Sequence, residues 1–271
     1  MSKIHPTAVI HKGAVIGENC EIGPYCVIGE NVVLGADNIL HNNVVLGGPT
    51  TIGNGNKIFS YAVLGTDPQD LKYTGEPTHL RIGDNNIIRE FCTINRSALM
   101  EEDTVVGDGN LLMEYVHIAH NCQIGSHCII ANVVQLAGHV HIHDFATIGG
   151  VTAVHQFVHI GSYSFVGGAS AIKKDIVPFS RGQGNPYQTV GLNSVGLTRK
   201  GFSDEDVAAI KEIYNLFYRK GLNTSQALAA TESMQLSQYQ QLFVDFVKHA
   251  ERGISNRSEE HTSELQSHHD L

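Results

Sequence analysis

An aliphatic residue recurs every six positions through most of the chain, and this period constrains the fold more than any other feature of the sequence. Counting in steps of six from Ile4 to Ile172, 26 of 29 positions are Ile, Leu or Val. The three exceptions fall in two stretches, near 66–81 and 96–105, that otherwise have the composition of loops. A period of six fits neither an amphipathic helix nor the simple alternation of a strand.

Such a repeat predicts a short strand followed by a tight turn, with one aliphatic side chain of each unit in a common interior. Three units close a triangular coil of 18 residues, so residues 18 apart lie above one another at about 4.8 Å, the spacing of neighbouring strands. The pattern resembles the hexapeptide repeat of left-handed parallel β-helices, and that resemblance alone implies the handedness. We therefore predict a mainly β fold, a β-helix of about nine coils over residues 1–178.

The period ends after Ile172, and the chain then changes character. Pro178, Pro186 and the glycines between them are typical of a linker. Farther on, Ser203 precedes an acidic residue at the third position and then an apolar stripe, which predicts a capped amphipathic helix. Two later apolar stretches predict two more helices, so we expect a C-terminal helical domain over 190–256.

The last segment, residues 257–271, has no periodicity and does not match the rest of the chain. Its first eleven residues look like the translation of a common sequencing-adapter oligonucleotide. We expect an artefactual, disordered tail without function.

Charge and hydropathy restrict the partners and the location. The formal net charge of −9 argues against general nucleic-acid binding. No apolar run approaches 18 residues and no signal peptide is present, so we expect a cytoplasmic protein without integral membrane contact. Residues 173–220 nevertheless hold eight Lys and Arg against five Asp and Glu, a local excess that suits an acidic partner.

The cysteines follow the same period. Each lies four residues after an in-phase aliphatic residue, a place that takes small, inward-facing side chains in hexapeptide-repeat proteins: Cys20, Cys26, Cys92, Cys122 and Cys128. No two of them are 18 apart, so none stacks directly on another. We predict five buried free thiols that act as small hydrophobic groups.

Stacking the coils also gathers polar residues around the segment "HIAHNC" (117–122). At a pitch of 18 residues, His120 lies in one column with Gly138, and Asn121 lies in the next with His139. The residues that this stacking brings to one edge of three adjacent coils are His117, His120, Asn121, Gly138, His139, His155 and Gln156. By contrast, we interpret His141 and His143 as solvated strand positions.

Three functions compete for this cluster. Hexapeptide-repeat carbonic anhydrases bind Zn²⁺ through three histidines, but His117 and His120 lack the spacing of that family's paired ligands, so we predict no metal. A passive scaffold would need neither the loops nor the helical domain. General-base acyl transfer needs a histidine, a backbone N–H for the oxyanion and a side chain that orients the ring, which this cluster supplies.

Six motifs resemble those of the bacterial UDP-N-acetylglucosamine O-acyltransferases, which catalyse the first step of lipid A synthesis. They are PQDLKYTGEPT (68–78), NLLMEYVHIAHNC (110–122), AGHV (137–140), GGVTAVHQF (149–157), QGNP (183–186) and GLTRKGFS (196–203). The resemblance covers residues 1–256. It implies that an (R)-3-hydroxyacyl group passes from acyl carrier protein, which carries it on phosphopantetheine, to the 3-hydroxyl of UDP-N-acetylglucosamine. It also implies a homotrimer with sites between subunits and no cofactor.

The resemblance assigns roles residue by residue. It implies that His120 is the general base, that Asn121 orients it and that the Gly138 N–H binds the oxyanion. The residues it implies for substrate binding are Gln69, Asp70, Lys72, His117, His139, His155 and Gln156, with Asn193, Arg199 and Lys200 contributed by a neighbouring subunit. It places Gly168 at the end of the acyl groove, where a glycine leaves room for a long acyl chain.

The sequence also departs from the family pattern. Asn121 stands where an Asp often orients the base, Lys200 replaces an Arg, and Val195 replaces an acidic residue. Asn95 stands where many members have His, which leaves the acceptor open between a 3-hydroxyl and a 3-amino group. Two alternative functions remain: the sister N-acyltransferase of the same pathway, against which the PQDLKY loop and the C-terminal helices argue, and an acetyl-CoA-dependent sugar O-acetyltransferase.

Overall fold

Each six-residue unit forms a strand of a few residues and a turn, and three units complete one coil. The computed structural model describes residues 1–256, and its strands form three sheets that are the faces of a prism and are parallel except for one terminal hairpin. The mainly β parallel β-helix predicted from the period of six is thus confirmed.

Face 1 has eleven strands: β1 (Lys3–Ile4), β4 (Glu21–Ile22), β7 (Ile39–Leu40), β10 (Lys57–Ile58), β13 (Ile87–Ile88), β16 (Leu111–Leu112), β19 (Ile129–Ile130), β22 (Thr147–Ile148), β25 (Phe165–Val166), β27 (Ser180–Gln183) and β28 (Gln188–Leu192). Face 2 has nine: β2 (Val9–Ile10), β5 (Val27–Ile28), β8 (Val45–Leu46), β11 (Val63–Thr66), β14 (Thr93–Asn95), β17 (His117–Ile118), β20 (Gln135–Leu136), β23 (Ala153–Val154) and β26 (Ala171–Ile172). Face 3 has eight: β3 (Val15–Ile16), β6 (Val32–Leu34), β9 (Thr50–Ile52), β12 (Leu80–Ile82), β15 (Thr104–Val106), β18 (Gln123–Ile124), β21 (His141–Ile142) and β24 (His159–Ile160).

The register follows the 18-residue pitch except at two coils with insertions and at the last coil, where Phe165 pairs with Arg181, sixteen residues on. His117 pairs with Gln135, eighteen residues on. Lys57, however, pairs with Ile87 and Ile87 with Leu111, so these coils carry twelve and six extra residues. The extra residues form the loops 67–79 and 96–103, and because both insertions are multiples of six, the aliphatic phase continues beyond them.

The interior of the prism is aliphatic. The in-phase Ile, Leu and Val residues from Ile22 to Ile172 are buried, whereas Ile4 in the first coil is 45% exposed because no coil covers it. All five cysteines are buried and free, as predicted. Burial raises the pKa of the Cys92, Cys122 and Cys128 thiols to about 12, so they stay protonated and unreactive.

The chain does not leave the prism through a linker. The segment 180–192, which its prolines and glycines made us interpret as one, forms the antiparallel hairpin β27–β28 at the end of face 1. Between the hairpin and residue 256 there are four helices: α1 (Ser194–Arg199), α2 (Asp204–Tyr218), α3 (Thr224–Thr231) and α4 (Gln238–Lys248). The predicted capping box of α2, in which Ser203 and Asp206 exchange hydrogen bonds, is confirmed.

Two histidines of face 3 are packed against other rings, and helix α4 covers one of them. The His143 ring meets the Phe246 ring edge-on at 5.6 Å, and the His141 ring stacks on His159 at 4.3 Å. The interpretation of His141 and His143 as solvated positions was therefore wrong. Burial lowers the pKa of both, that of His141 to about 4.

The predicted tail, residues 257–271, lies outside the described residues. Among residues 1–256, no helix combines the length and hydropathy that crossing a membrane requires.

Candidate active site

The stacking predicted for His120 and Gly138 is present in the structure. His120 follows β17 at the corner between faces 2 and 3, and Gly138 occupies the same place one coil later. A Cβ atom added to Gly138 would lie 2.6 Å from Cε1 and 2.8 Å from Nε2 of His120. The imidazole therefore lies directly against the glycine backbone, and only a glycine leaves space for it there.

The Gly138 backbone also offers a hydrogen-bond donor. Within residues 1–256, no backbone or side-chain acceptor takes its N–H. An N–H beside an imidazole is the arrangement that stabilises an oxyanion formed next to a general base.

Asn121 fixes the orientation and the tautomer of His120. Nδ1 of His120 is 2.9 Å from Oδ1 of Asn121. The same oxygen accepts the Ala98 N–H at 3.1 Å, which identifies it as the amide oxygen rather than the nitrogen. Since an amide oxygen only accepts, Nδ1 of His120 must donate, and in the neutral ring the free lone pair is then on Nε2.

The amide nitrogen of Asn121 is held equally firmly. It donates to Oγ of Ser97 at 2.6 Å and to a carboxylate oxygen of Glu102 at 3.0 Å, while the Asn121 backbone N–H donates to Oγ1 of Thr104. Asn121 is completely buried. Asn121, which orients the His120 ring, is thus itself fixed by contacts with loop 96–103 and with Thr104 of β15.

His139 and His117 flank the His120 ring. The rings of His120 and His139 meet edge-on at 5.4 Å, and His139 stacks on Phe157 at 4.7 Å. His117 is hydrogen-bonded through Nδ1 to Oγ1 of Thr93 at 2.7 Å. Burial lowers the pKa of both flanking histidines, and the nearby His120 lowers it further, so both are neutral at pH 7.

Loop 67–79 covers one side of this cluster. Asn95 donates to the Asp67 carbonyl at 2.8 Å and Arg96 donates to the Tyr73 hydroxyl at 2.8 Å, so face 2 holds the loop in place. Gln69 lines an open groove of about 670 Å³ together with His117. The negative charge of Asp70 raises the pKa of His139, although the opposite effect of burial is larger.

Not every candidate reaches the cluster. Lys72 is exposed in loop 67–79, where its backbone N–H bonds to Asp70. His155 and Gln156 are exposed at the corner one coil beyond Gly138, with Nδ1 of His155 bonded to the Gln156 carbonyl at 3.1 Å. Gly168 is exposed at the corner that leads into face 2.

The remaining three candidates lie on another face of the prism. Asn193 caps α1, accepting from Gly196 and donating to the Tyr163 carbonyl. With Arg199 and Lys200 it lines a cavity of about 560 Å³ against face 1. Within one chain, this cationic cavity and the His120 cluster on face 2 are therefore separate.

Glu102 and Ser97 are contacts of the site that the sequence analysis missed. Both belong to the inserted loop 96–103, so the 18-residue pitch does not place them. The one available signal was the acidic run Glu101, Glu102 and Asp103, which directly follows three apolar residues. Among residues 1–256, no three His, Cys, Asp or Glu side chains converge as a metal site requires.

Comparison with known proteins finds the same fold and sequence family. The model of the second domain of UDP-N-acetylglucosamine O-acyltransferases matches residues 175–255, and the model of the bacterial transferase hexapeptide repeat matches residues 1–36 and 103–138. The chain is 48% identical over 257 residues to the acyl-(acyl-carrier-protein)–UDP-N-acetylglucosamine O-acyltransferase of Thiobacillus denitrificans, a match that covers 94% of this chain and 99% of that protein.

Solved structures agree. The UDP-N-acetylglucosamine acyltransferase of Francisella novicida superposes with a TM-score of 0.91 at 41% identity, over 93% of this chain and 94% of that one. The corresponding structure from Acinetobacter baumannii gives a TM-score of 0.90 at 45% identity, over 93% of this chain and 99% of that one.

Proposed function

The chain belongs to the UDP-N-acetylglucosamine O-acyltransferase family, and on that premise we propose that it transfers an (R)-3-hydroxyacyl chain from acyl carrier protein to the 3-hydroxyl of UDP-N-acetylglucosamine. This is the first step of lipid A synthesis, and His120 is its general base. The observation that carries the proposal is the His120 ring lying against Gly138, with Asn121 accepting from Nδ1 so that the neutral ring has its lone pair on Nε2.

The reaction is a direct transfer. Nε2 of His120 takes the proton of the sugar 3-hydroxyl as that oxygen attacks the thioester carbonyl. The tetrahedral intermediate places its negative charge beside the Gly138 N–H. When the intermediate collapses, the carbon–sulfur bond breaks and the imidazolium returns the proton to the phosphopantetheine thiolate. No acyl-enzyme and no cofactor is needed.

The sugar nucleotide enters along face 2, and we propose that a neighbouring subunit closes the groove. Gln69 and His117 already line one wall. Beside them, Tyr61, Phe91 and Tyr115 form an exposed stack with ring separations of 5.1 and 4.9 Å. An apolar ladder of this kind is typical of a surface that a second copy covers.

In the trimer, a second copy brings its cationic cavity to this groove. Asn193, Arg199 and Lys200 lie on face 1 of their own chain, where Arg and Lys side chains suit a pyrophosphate. The structural separation of this cavity from His120 within one chain supports a site built from two subunits.

Acyl carrier protein docks on the basic segment 173–220. All eight of its Lys and Arg residues are exposed, whereas Asp175 is buried and bonded to the His159 backbone. The surface excess of positive charge is therefore larger than the sequence count suggests, which favours an acidic partner.

One assay tests the proposal. The purified protein is mixed with UDP-N-acetylglucosamine and (R)-3-hydroxyacyl carrier protein, and the 3-O-acyl product is identified by mass spectrometry and NMR. Product on a glucosamine 2-amine, or only with acetyl-CoA, would instead identify the sister N-acyltransferase or a sugar O-acetyltransferase. A parallel reaction with the 3-amino sugar nucleotide shows which acceptor the enzyme with Asn95 prefers.

The role of His120 is tested separately. His120→Ala should abolish turnover while circular dichroism and trimer mass stay unchanged, and His11→Ala, an exposed histidine of the first coil, is the matched control. Near-normal kcat in His120→Ala would remove this residue from the base role.

A further inference from the structure

Among residues 1–256, Glu102 is the one acidic side chain that contacts both Asn121 and His139 beside the His120 ring. Its carboxylate accepts from Nδ2 of Asn121 at 3.0 Å and lies 3.6 Å from Nδ1 of His139. Resting on the function proposed above, we infer that Glu102 is a positioning residue that supplies, through the Asn121 amide, the negative charge that stabilises the His120 imidazolium.

The need for such a charge follows from Asn121 itself. When His120 takes a proton, its ring becomes cationic, and an amide oxygen without charge stabilises a cation less than a carboxylate does. The Asn121 amide is polarised, however, because its N–H donates to an ionised carboxylate while its carbonyl accepts from Nδ1 of His120. Hydrogen bonds in such a chain strengthen one another.

The loop that carries Glu102 is fixed rather than free. Oγ of Ser97 accepts the Leu99 N–H at 3.0 Å and donates to the Leu99 carbonyl at 2.9 Å, and a bridge joins Leu99 to Glu102. Ser97 also accepts from Asn121 and is completely buried. The carboxylate therefore stands on a loop that is tied to the residue it contacts.

The charge of Glu102 is not cancelled by its other neighbour. Burial outweighs the attraction of Glu102 and keeps the pKa of His139 below its usual value, so His139 is neutral at pH 7. His117, on the other side of His120, is also neutral for the same reason. Asp70 is another charged group that acts on this cluster, and it acts on His139 from loop 67–79.

The test is the pH profile of kcat/KM for Glu102→Gln. Without the negative charge the His120 imidazolium is less stable, so the acid limb should move to lower pH while the plateau falls by about tenfold, equivalent to about 1.4 kcal/mol. Glu101 is an exposed neighbour in the same loop, and Glu101→Gln should leave both the acid limb and the plateau unchanged. An unchanged pH profile of Glu102→Gln overturns the inference and shows that Glu102 has no role in the reaction. A lower plateau without a displaced acid limb also overturns it, and shows that the role of Glu102 is structural.

A second pair of variants keeps the test independent of loop damage. Asn121→Asp alone removes the donor to Glu102 and sets two carboxylates side by side, so it should be less active than either the parent or the double variant Asn121→Asp/Glu102→Gln. In the double variant the amide introduced at position 102 donates to the carboxylate introduced at position 121, which then faces His120 directly. Glu102→Gln should thus lower kcat/KM in the parent enzyme and raise it in the Asn121→Asp variant. An equal loss of kcat/KM in both backgrounds overturns the inference.

The outcomes separate this inference from the proposed function. If His120→Ala remains active, the general-base assignment fails and so does everything built on it. If His120→Ala is inactive and Glu102→Gln behaves as the parent does, only the role of Glu102 is refuted.

Discussion

Gly138→Ala tests how closely the site depends on the stacking of two coils. The Gly138 backbone lies outside the positive-φ region, so alanine can adopt it. The new methyl carbon would stand 2.6 Å from Cε1 of His120, whereas carbon atoms in contact are about 3.5 Å apart. The ring must therefore retreat by about 1 Å, and a misplacement of about 1 Å costs about a hundredfold in rate.

We expect kcat/KM of Gly138→Ala to fall by about this hundredfold, with a smaller change in the KM for the sugar nucleotide. Initial rates with the acyl carrier protein thioester measure it. Gly150→Ala is the matched control for folding, since Gly150 also precedes a positive-φ corner residue and its added methyl would meet the Asn132 carbonyl at 3.0 Å. Melting temperatures should fall similarly in the two variants. A Gly138→Ala enzyme with the parental kcat/KM would refute the argument that the His120 ring cannot move without loss of activity.

Three further predictions use other parts of the structure. Gly168→Met should shorten the preferred acyl chain, because its side chain begins 3.1 Å from the Gly150 carbonyl and fills the corner beside face 2. Rates with acyl carrier protein thioesters of graded chain length measure this preference. An unchanged preference would exclude Gly168 as the residue that limits acyl-chain length. Thermal stability should fall as pH drops from 6.5 towards about 4, because the unfolded chain protonates His141 in that window while the folded chain does not. His141→Gln should flatten that dependence in calorimetry, and the exposed His155→Gln should not. Asn95→Ala should raise the KM for the sugar nucleotide several-fold more than it lowers kcat, because it releases the Asp67 carbonyl in loop 67–79; equal effects on both would contradict this.

The period of six predicted the prism and the contact between His120 and Gly138 because both follow from a constant coil length. Residues 18 apart share a column only where the coil length is constant, which holds from Leu111 to Ile172. The register within the coils, the buried cysteines and the edge that carries His120 could therefore be read from spacing alone.

The same reasoning fails for the inserted loops. Nothing in the repeat determines where loop 96–103 reaches, so the contacts of Glu102 and Ser97 with Asn121 had no sequence signal of sufficient strength. His143 was misinterpreted for a related reason, because the residue that covers it, Phe246, is more than a hundred residues away on α4. The hairpin at 180–192 was missed because its prolines and glycines are equally typical of turns and of linkers.

The open first coil has a consequence for the length of the molecule. Each strand before the first insertion pairs only with those one coil before and after it, as β4 does with β1 and β7. Deleting one complete coil, residues 20–37, would join backbone positions that are equivalent in neighbouring coils. Every hydrogen bond around His120 would be left unchanged. A chain with fewer or more turns at this end would therefore retain the same chemistry on a shorter or longer column.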